Sequence, residues 1–166
     1  MNPEPSPNVF VTTAAIATLA DQVSKFVVFG DQLYIDQTLF RFDFSANFYF
    51  AIETTLNRGA VAGIGQDMNA FFALLSALFL VLMVPFFLRM FPRSCSPLSG
   101  ISAGLAWGGV MGNFIDRIAF GAVRDFITVA WWPTFNIADS CICIGVLYFV
   151  YVILFDKHVD KKPETA

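Results

Sequence analysis

Six ionisable residues lie in or beside the long apolar segments of this 166-residue chain: Asp21, Lys25, Asp116, Arg117, Asp125 and Asp139. An ionisable side chain is costly in a membrane-like environment, so each is a functional candidate by default. Two carboxyl groups in a poorly hydrated site tend to share one proton. Such a pair can activate a water molecule with its ionised member and polarise a peptide carbonyl with its protonated member.

Spacing separates the residues that can pair for structural reasons from the rest. Asp21 and Lys25 are four residues apart, so on a helix they share a face and are expected to form an ion pair. Asp116 and Arg117 follow Asn113 by three and four residues near the end of an apolar segment. We expect this second group to form a polar network that ties helix ends together.

Asp125 and Asp139 flank the connection between the third and fourth apolar segments. Asn136 can cap the start of the fourth helix, and the helix N-terminus favours a carboxylate at Asp139. Because the connection is short, both carboxyl groups are expected at the same membrane depth. These residues alone leave three functions open: an aspartic protease, a proton- or ion-coupled carrier, and a structural membrane subunit.

The composition indicates that lipid surrounds the elements holding these residues. Hydrophobic residues make up 57% of the chain and charged residues 14%, against about 45–50% and about 25% in soluble proteins. Segments at about 8–30, 69–90, 98–118 and 135–155 reach the roughly 20 residues that a spanning helix needs. The second is the most apolar and is predicted to face lipid most. The whole chain, 1–166, is predicted to form one domain.

The segment at about 38–66 is too long for a structureless loop. Phenylalanines alternate with polar residues at 40–44, and a second apolar run follows a turn at 45–47, which predicts a small antiparallel sheet. The predicted fold class is therefore an all-α membrane protein with four transmembrane helices and a small antiparallel β-sheet on the outer membrane surface. Both termini are predicted in the cytoplasm from the basic residues Arg89, Arg93, Lys157, Lys161 and Lys162.

The net charge argues against a nucleic-acid-binding protein, and the cysteine and histidine content argues against a zinc protein. A net charge of −3 with no basic cluster argues against nucleic-acid binding, which needs a positive surface. The three cysteines, Cys95, Cys141 and Cys143, and the single His158 lack the ligand number and spacing of a zinc site. We therefore predict neither a metal nor another cofactor.

Five motifs, taken in order, resemble those of the bacterial lipoprotein signal peptidases, the type II signal peptidases. The resemblance covers most of the chain, and the motifs are DQVSK at 21–25, NRGAVAG at 57–63, GNFIDR at 112–117, GAVRDF at 121–126 and FNIAD at 135–139. It implies an enzyme of the bacterial inner membrane that removes signal peptides from diacylglyceryl-modified prolipoproteins, cutting just before the lipidated cysteine. It further implies a cofactor-free site near the outer face. Membrane lipids and the prolipoprotein are the expected partners of a monomer.

The resemblance also implies roles for individual residues. The catalytic pair falls on Asp125 and Asp139. Positions that line the site and support the pair or the substrate are Asn57, Asn113, Arg117 and Asn136, and positions interpreted as structural are Asp21, Lys25 and Asp116.

Three features depart from the family pattern. Ala62 replaces a common phenylalanine, Arg124 stands where an apolar residue is usual, and only 14 positions separate Asp125 from Asp139. Arg124 would lower the pKa of Asp125 if it turned toward it, although alternation along a strand would point the two side chains to opposite faces. A catalytically silent homologue that only binds lipoproteins is a further alternative.

Overall fold

The structure, a computed structural model, describes residues 7–30, 36–59, 65, 68–90 and 97–155. The elements in chain order are α1 (Pro7–Phe29), β1 (Gln37–Ser45), β2 (Phe48–Asn57), α2 (Asn69–Met90), α3 (Pro97–Phe120), β3 (Val123–Val129), β4 (Trp132–Phe135) and α4 (Ile137–Phe155). The basic tail, Arg93, Cys95, His158 and Ala62 lie outside the described residues. The expected combination of four helices with a small antiparallel sheet is confirmed.

Helix α3 is central and packs closely against α1 and α4. Two glycines permit this approach, because a Cβ atom at Gly108 would lie 2.5 Å from the Ala14 carbonyl oxygen of α1. A Cβ atom at Gly109 would likewise clash with the Ala138 carbonyl oxygen of α4. Small residues at such crossings let helix backbones approach closely. These close contacts hold α1 and the start of α4 in fixed positions against α3.

Helix α2 is the most exposed helix. Among the described residues, its segment Asn69–Phe86 alone passes as a membrane span by length and apolar composition, and only 11% of it is buried. It packs on α3, where the Trp107 indole N–H donates to the Leu80 carbonyl oxygen at 3.0 Å. The prediction that this segment faces lipid most agrees with that exposure.

The antiparallel sheet is larger than the sequence predicted. Its order is β1-β2-β3-β4, and only β1 and β2 fall in the predicted segment 38–66. Strands β1 and β2 agree with the predicted segment, and β3 and β4 extend the sheet beyond it. Five of the first six residues of β3 are buried. Both faces of this strand are therefore covered, and its sequence does not alternate between polar and apolar residues.

The register places the predicted aromatic face on the same side of the sheet as Asp125. Directly opposed residues in antiparallel strands share a face. Ile127, two residues after Asp125, lies opposite Ile52, and Ile52 lies opposite Phe40. The apolar face of the β1–β2 hairpin is thus continuous with the strand that presents the carboxyl group.

Candidate active site

Asp125 lies on β3 and is only 2% exposed. Its Oδ1 accepts a hydrogen bond from Asn136 Nδ2 at 2.6 Å, and its Oδ2 accepts one from Asn57 Nδ2 at 3.1 Å. Asn57 reaches it from β2, where it opposes Val123 and is therefore a diagonal neighbour of Asp125. Both carboxylate oxygens consequently face amide donors.

Asp139 lies in the first turn of α4 and forms a capping box with Asn136. The Asp139 N–H donates to Asn136 Oδ1 at 2.9 Å, and the Asn136 N–H donates to Asp139 Oδ2 at 3.2 Å. This reciprocal pair satisfies two backbone donors at the helix start. Asn113 Nδ2 donates to the other oxygen, Asp139 Oδ1, at 2.8 Å. The expected cap at Asn136 is observed, and Asn136 bonds to both aspartates.

The direction of each asparagine amide is set by a donor that faces its carbonyl oxygen. These donors are Lys25 Nζ for Asn113 (3.0 Å), the Gly59 N–H for Asn57 (3.0 Å) and the Asp139 N–H for Asn136 (2.9 Å). Because an ammonium or backbone N–H group can only donate, each amide must present its NH₂ group in the opposite direction. All three NH₂ groups therefore point to an aspartate oxygen.

Behind the pair lies a buried ion network. Lys25 Nζ is 2.8 Å from Asp21 Oδ2 and 3.1 Å from Asp116 Oδ2, and all three side chains are fully buried. Arg124 Nη2 lies 2.8 Å from Asp116 Oδ1. The two cations balance the two carboxylates, and Asp21 Oδ1 also accepts the Ala138 N–H of α4 at 2.9 Å. This network fixes α1, α3 and α4 relative to one another.

Arg124 turns away from Asp125, as strand alternation predicts. Its guanidinium pairs with Asp116, lies 4.3 Å from the centre of the Phe120 ring, and donates to Gln22 Oε1 at 3.1 Å. The residue that departs from the family pattern is thus part of the ion network. Gln22 was missed by the sequence analysis, although its position beside Asp21 in an apolar segment was an available signal.

Arg117 is the cation that faces the aspartates without pairing with them. No carboxylate in the described part of the chain lies within 4.0 Å of it. Its Nε is buried without a hydrogen-bond partner, and its Nη2 lies 3.5 Å from the Gly59 carbonyl oxygen. Its Nη1 likewise lies 3.5 Å from the Asn113 carbonyl oxygen, so both contacts of the terminal nitrogens are long.

Both aspartates line one cavity of about 730 Å³. Its polar lining comprises Asn57, Asn113, Arg117, Asp125, Asp139, Ser76, Thr134 and Ser140. Asn136 is fully buried behind this wall, and so are the ion-network residues Asp21, Lys25 and Asp116. The structure thus brings the predicted catalytic and supporting residues together. The residues that were interpreted as structural lie behind them and contact them where Lys25 donates to Asn113.

Burial raises the pKa of Asp125 from its ordinary 3.8 to about 7, and the neighbouring negative charge of Asp139 adds to the rise. The hydrogen bonds from Asn57 and Asn136 oppose this shift without cancelling it. A carboxyl group that holds its proton near neutral pH can donate a hydrogen bond to a substrate oxygen. The cavity therefore contains the two carboxyl groups, the amide donors and the cation that acid–base hydrolysis uses.

Comparison with known proteins gives a match over most of the chain. Residues 13–155 match the sequence profile of the family described as signal peptidase (SPase) II. Curated relatives include the lipoprotein signal peptidase of Symbiobacterium thermophilum, 34% identical over 152 residues that cover 89% of this chain and 95% of that protein. The lipoprotein signal peptidase of Dehalococcoides mccartyi (strain 195) is 35% identical, with 90% of this chain and 91% of that protein covered.

Solved structures agree with the sequence comparison. A bacterial membrane enzyme determined by the in meso method at 2.3 Å resolution superposes with a TM-score of 0.81. It is 28% identical, and the superposition covers 100% of this chain and 99% of that one. A second such structure, at 1.9 Å resolution, gives a TM-score of 0.77 at 28% identity, with 95% of this chain and 99% of that one covered.

Proposed function

This chain belongs to the signal peptidase II family, a family of bacterial membrane proteases, and we propose that it cleaves diacylglyceryl-modified prolipoproteins just before the lipidated cysteine with Asp125 and Asp139 as its catalytic pair. The observation that carries the assignment is that both carboxyl groups line one cavity and are bonded to the same residue, Asn136. No cofactor is required in this scheme.

The different surroundings of the two aspartates support separate roles. Asp139 lines the cavity from the first turn of α4, and it takes a proton from water. Asp125 is almost fully buried and supplies a proton to the carbonyl oxygen of the scissile peptide. The water attacks the carbonyl carbon and gives a tetrahedral intermediate. The C–N bond breaks when the leaving nitrogen receives the proton that Asp139 removed, and the hydroxyl formed from the carbonyl oxygen returns its proton to Asp125.

Arg117 is proposed to bind substrate backbone carbonyl groups. Arg117 lines the cavity, and its terminal nitrogens make only long contacts of 3.5 Å with backbone carbonyl oxygens. These observations support the role, because a planar guanidinium offers several N–H donors in a fixed geometry. Asn57 and Asn113 are proposed to hold the carboxyl groups in place. We further propose that the enzyme acts as a monomer.

We further propose how the protein lies in the membrane. All four helices cross the bacterial inner membrane, both termini are cytoplasmic, and the sheet with the catalytic pair lies at the outer face. The exposed phenylalanines of the sheet support this arrangement, because Phe40, Phe42 and Phe44 are each more than half exposed and suit the apolar side of a membrane interface.

The function is tested with purified enzyme and one precursor prepared with and without the diacylglyceryl group. We expect the modified precursor to be cleaved before its lipidated cysteine, at least about tenfold faster than the unmodified precursor. Mass spectrometry of the products locates the cut. Equal rates for the two precursors, or a cut elsewhere, would contradict the assignment, and binding without cleavage would favour a catalytically silent homologue.

The raised pKa of Asp125 predicts a pH dependence. Asp125 is protonated below about pH 7 and loses its proton above that value, so kcat/KM should fall about tenfold for each pH unit above 7. A rate that stays constant to pH 9 would contradict the assignment of Asp125 as the proton donor.

The raised pKa of Asp125 also predicts how the stability of the folded protein depends on pH. This second measurement is a control for the pH dependence of kcat/KM. The folded pKa exceeds the ordinary 3.8, so the folded state binds a proton that the unfolded state releases between those two values. The free energy of unfolding should therefore decrease as pH rises from about 4 to about 7 and change little above it. Loss of activity above pH 7 is then not caused by unfolding.

A further inference from the structure

Helices α2 and α4 lie on either side of α3 and leave an opening between them. We call this opening the α2–α4 window and define it by Ser76 of α2, Val110 of α3, and Ile142 and Cys143 of α4, all of which line the cavity. Asp139 and Cys143 are one helical turn apart and line it together. The window is therefore the part of the cavity that continues along the helices from the catalytic pair.

Deeper along the helices than any residue that lines the cavity, α2 and α4 come together. The rings of Phe86 on α2 and Phe149 on α4 have centroids 6.0 Å apart and planes inclined by 58°, and we call this contact the floor of the window. Phe86 follows Ser76 by ten positions, and Phe149 follows Asp139 by ten positions. At a rise of about 1.5 Å per residue the floor lies about 15 Å from the carboxyl groups. The hydrocarbon core of a membrane is roughly 30 Å thick, so a distance of about 15 Å corresponds to the hydrocarbon thickness of one leaflet.

The residues that line the cavity change from polar beside the aspartates to apolar farther along the helices. Asn113, Arg117 and the two aspartates lie at the top, whereas Val110, Ile142 and Ile144 line the lower part. The helix surfaces beside the opening are apolar and exposed, with Leu75 44% and Val146 43% exposed. An opening with this lining, in a protein of the membrane, is accessible to hydrocarbon chains from the side rather than to water.

We propose that the α2–α4 window holds an acyl chain of the lipidated cysteine, which enters sideways from the surrounding leaflet, and that the Phe86–Phe149 contact sets the chain length that fits. The inference rests on the proposed function and extends it from the reaction to the selection of substrate. The lipid anchor and the scissile bond are a few atoms apart in the substrate. A chain lying in the window therefore brings that bond to the carboxyl groups at the top.

The test measures kcat/KM for one precursor peptide carrying diacylglyceryl groups of short, medium and long chains. Ser76→Trp narrows the window, and Leu74→Trp places the same side chain two residues away on the exposed face of α2, where Leu74 is 67% exposed. We expect Ser76→Trp to lower kcat/KM at least about tenfold for long chains and much less for short ones. Leu74→Trp should leave the dependence on chain length unchanged.

A second variant tests the floor without filling the window. Phe86→Ala removes one ring of the contact, so the chain length with the highest kcat/KM should increase. If Ser76→Trp does not fold, which its thermal unfolding will reveal, Phe86→Ala still decides the question. An unchanged optimum in Phe86→Ala, or an equal loss for all chains in Ser76→Trp, overturns the inference. Failure of the wild type to cleave any lipidated precursor would instead contradict the proposed function.

Discussion

Asparagine at position 125 or 139 is expected to lower cleavage of a lipid-modified precursor by at least about 10³-fold, because each change removes one of the two proton-transfer groups. The amide that replaces Asp139 cannot take a proton from water. The amide that replaces Asp125 cannot supply an acidic proton to the carbonyl oxygen. Single-turnover cleavage measured with excess enzyme separates this loss from any change in substrate binding.

The two variants should differ in stability. Both oxygens of Asp125 accept hydrogen bonds from NH₂ groups whose direction is fixed, so in Asp125→Asn one amide group must face another donor. This mismatch is expected to cost about 1–3 kcal/mol of unfolding free energy. Asp139 lies closer to the open cavity, and its variant should lose less.

The matched control is Asp43→Asn, which changes an exposed aspartate of the same sheet. Asp43 pairs with Arg41 at 2.9 Å, and both side chains are about half exposed. The loss of this pair should therefore change stability little and leave cleavage unchanged. Near-normal turnover in either Asp125→Asn or Asp139→Asn would exclude the catalytic pair. Ion flux in proteoliposomes that depends on the same aspartates would favour the carrier that the sequence left open.

Lys25→Met is expected to produce the largest loss of stability, about 3–5 kcal/mol, because it leaves buried carboxylates without their shared cation. Lys25 Nζ contacts both Asp21 and Asp116 in a region with no exposed side-chain surface. Methionine fills a similar volume but offers no charge. The free energy of unfolding in mixed micelles, compared with the wild type, gives the measurement.

Two control variants test whether lost charge balance is the cause of the destabilisation in Lys25→Met. Arg41→Met removes an exposed cation from a surface pair and should lower the free energy of unfolding far less than Lys25→Met does. The double variant Lys25→Met/Asp21→Asn removes one charge of each sign, and the new amide oxygen can still accept the Ala138 N–H. It should be more stable than Lys25→Met alone. Equal stability of Lys25→Met and the wild type would show that the network is not needed to hold the helices together.

Lys25→Met should also impair cleavage, even though Lys25 does not line the cavity. Its ammonium group fixes the direction of the Asn113 amide, which in turn donates to Asp139. Lys25 is therefore a positioning residue rather than a catalytic one. Residual activity of a folded Lys25→Met enzyme should fall mainly in kcat, since the groups that contact substrate remain in place.

The features that the sequence predicted well depend on local patterns. Long apolar runs identify the four helices, and the period-two phenylalanines identify the β1–β2 hairpin. The i,i+4 spacing of Asp21 and Lys25 predicts their contact directly. Strands β3 and β4 were missed because neither shows alternation: β3 is mostly buried on both faces, and β4 is four residues long.

The features that could not be predicted depend on distant contacts. Lys25 and Asn113 are 88 positions apart, and Gln22 and Arg124 are 102 apart. Neither contact follows from helix or strand periodicity. From the sequence, Arg124 was an unexplained departure from the family pattern beside Asp125. In the structure its guanidinium pairs with the carboxylate of Asp116. Among the residues that surround the aspartates, Asn136 was predictable from its capping position, whereas the placement of Asn57, Asn113 and Arg117 beside them was predictable only through the family resemblance.

The fixed amide directions bear on how the enzyme resets after each reaction. Among the described residues, Asp125 accepts two N–H groups, from Asn57 and Asn136, and Asp139 accepts two, from Asn113 and the Asn136 backbone. A negative charge on either carboxyl group thus meets the same number of donors without movement of a side chain. In the proposed mechanism the charge can therefore pass from Asp139 to Asp125 when the water attacks and return to Asp139 when the C–N bond breaks. Recovery of the starting state then needs a proton to move and no conformational change.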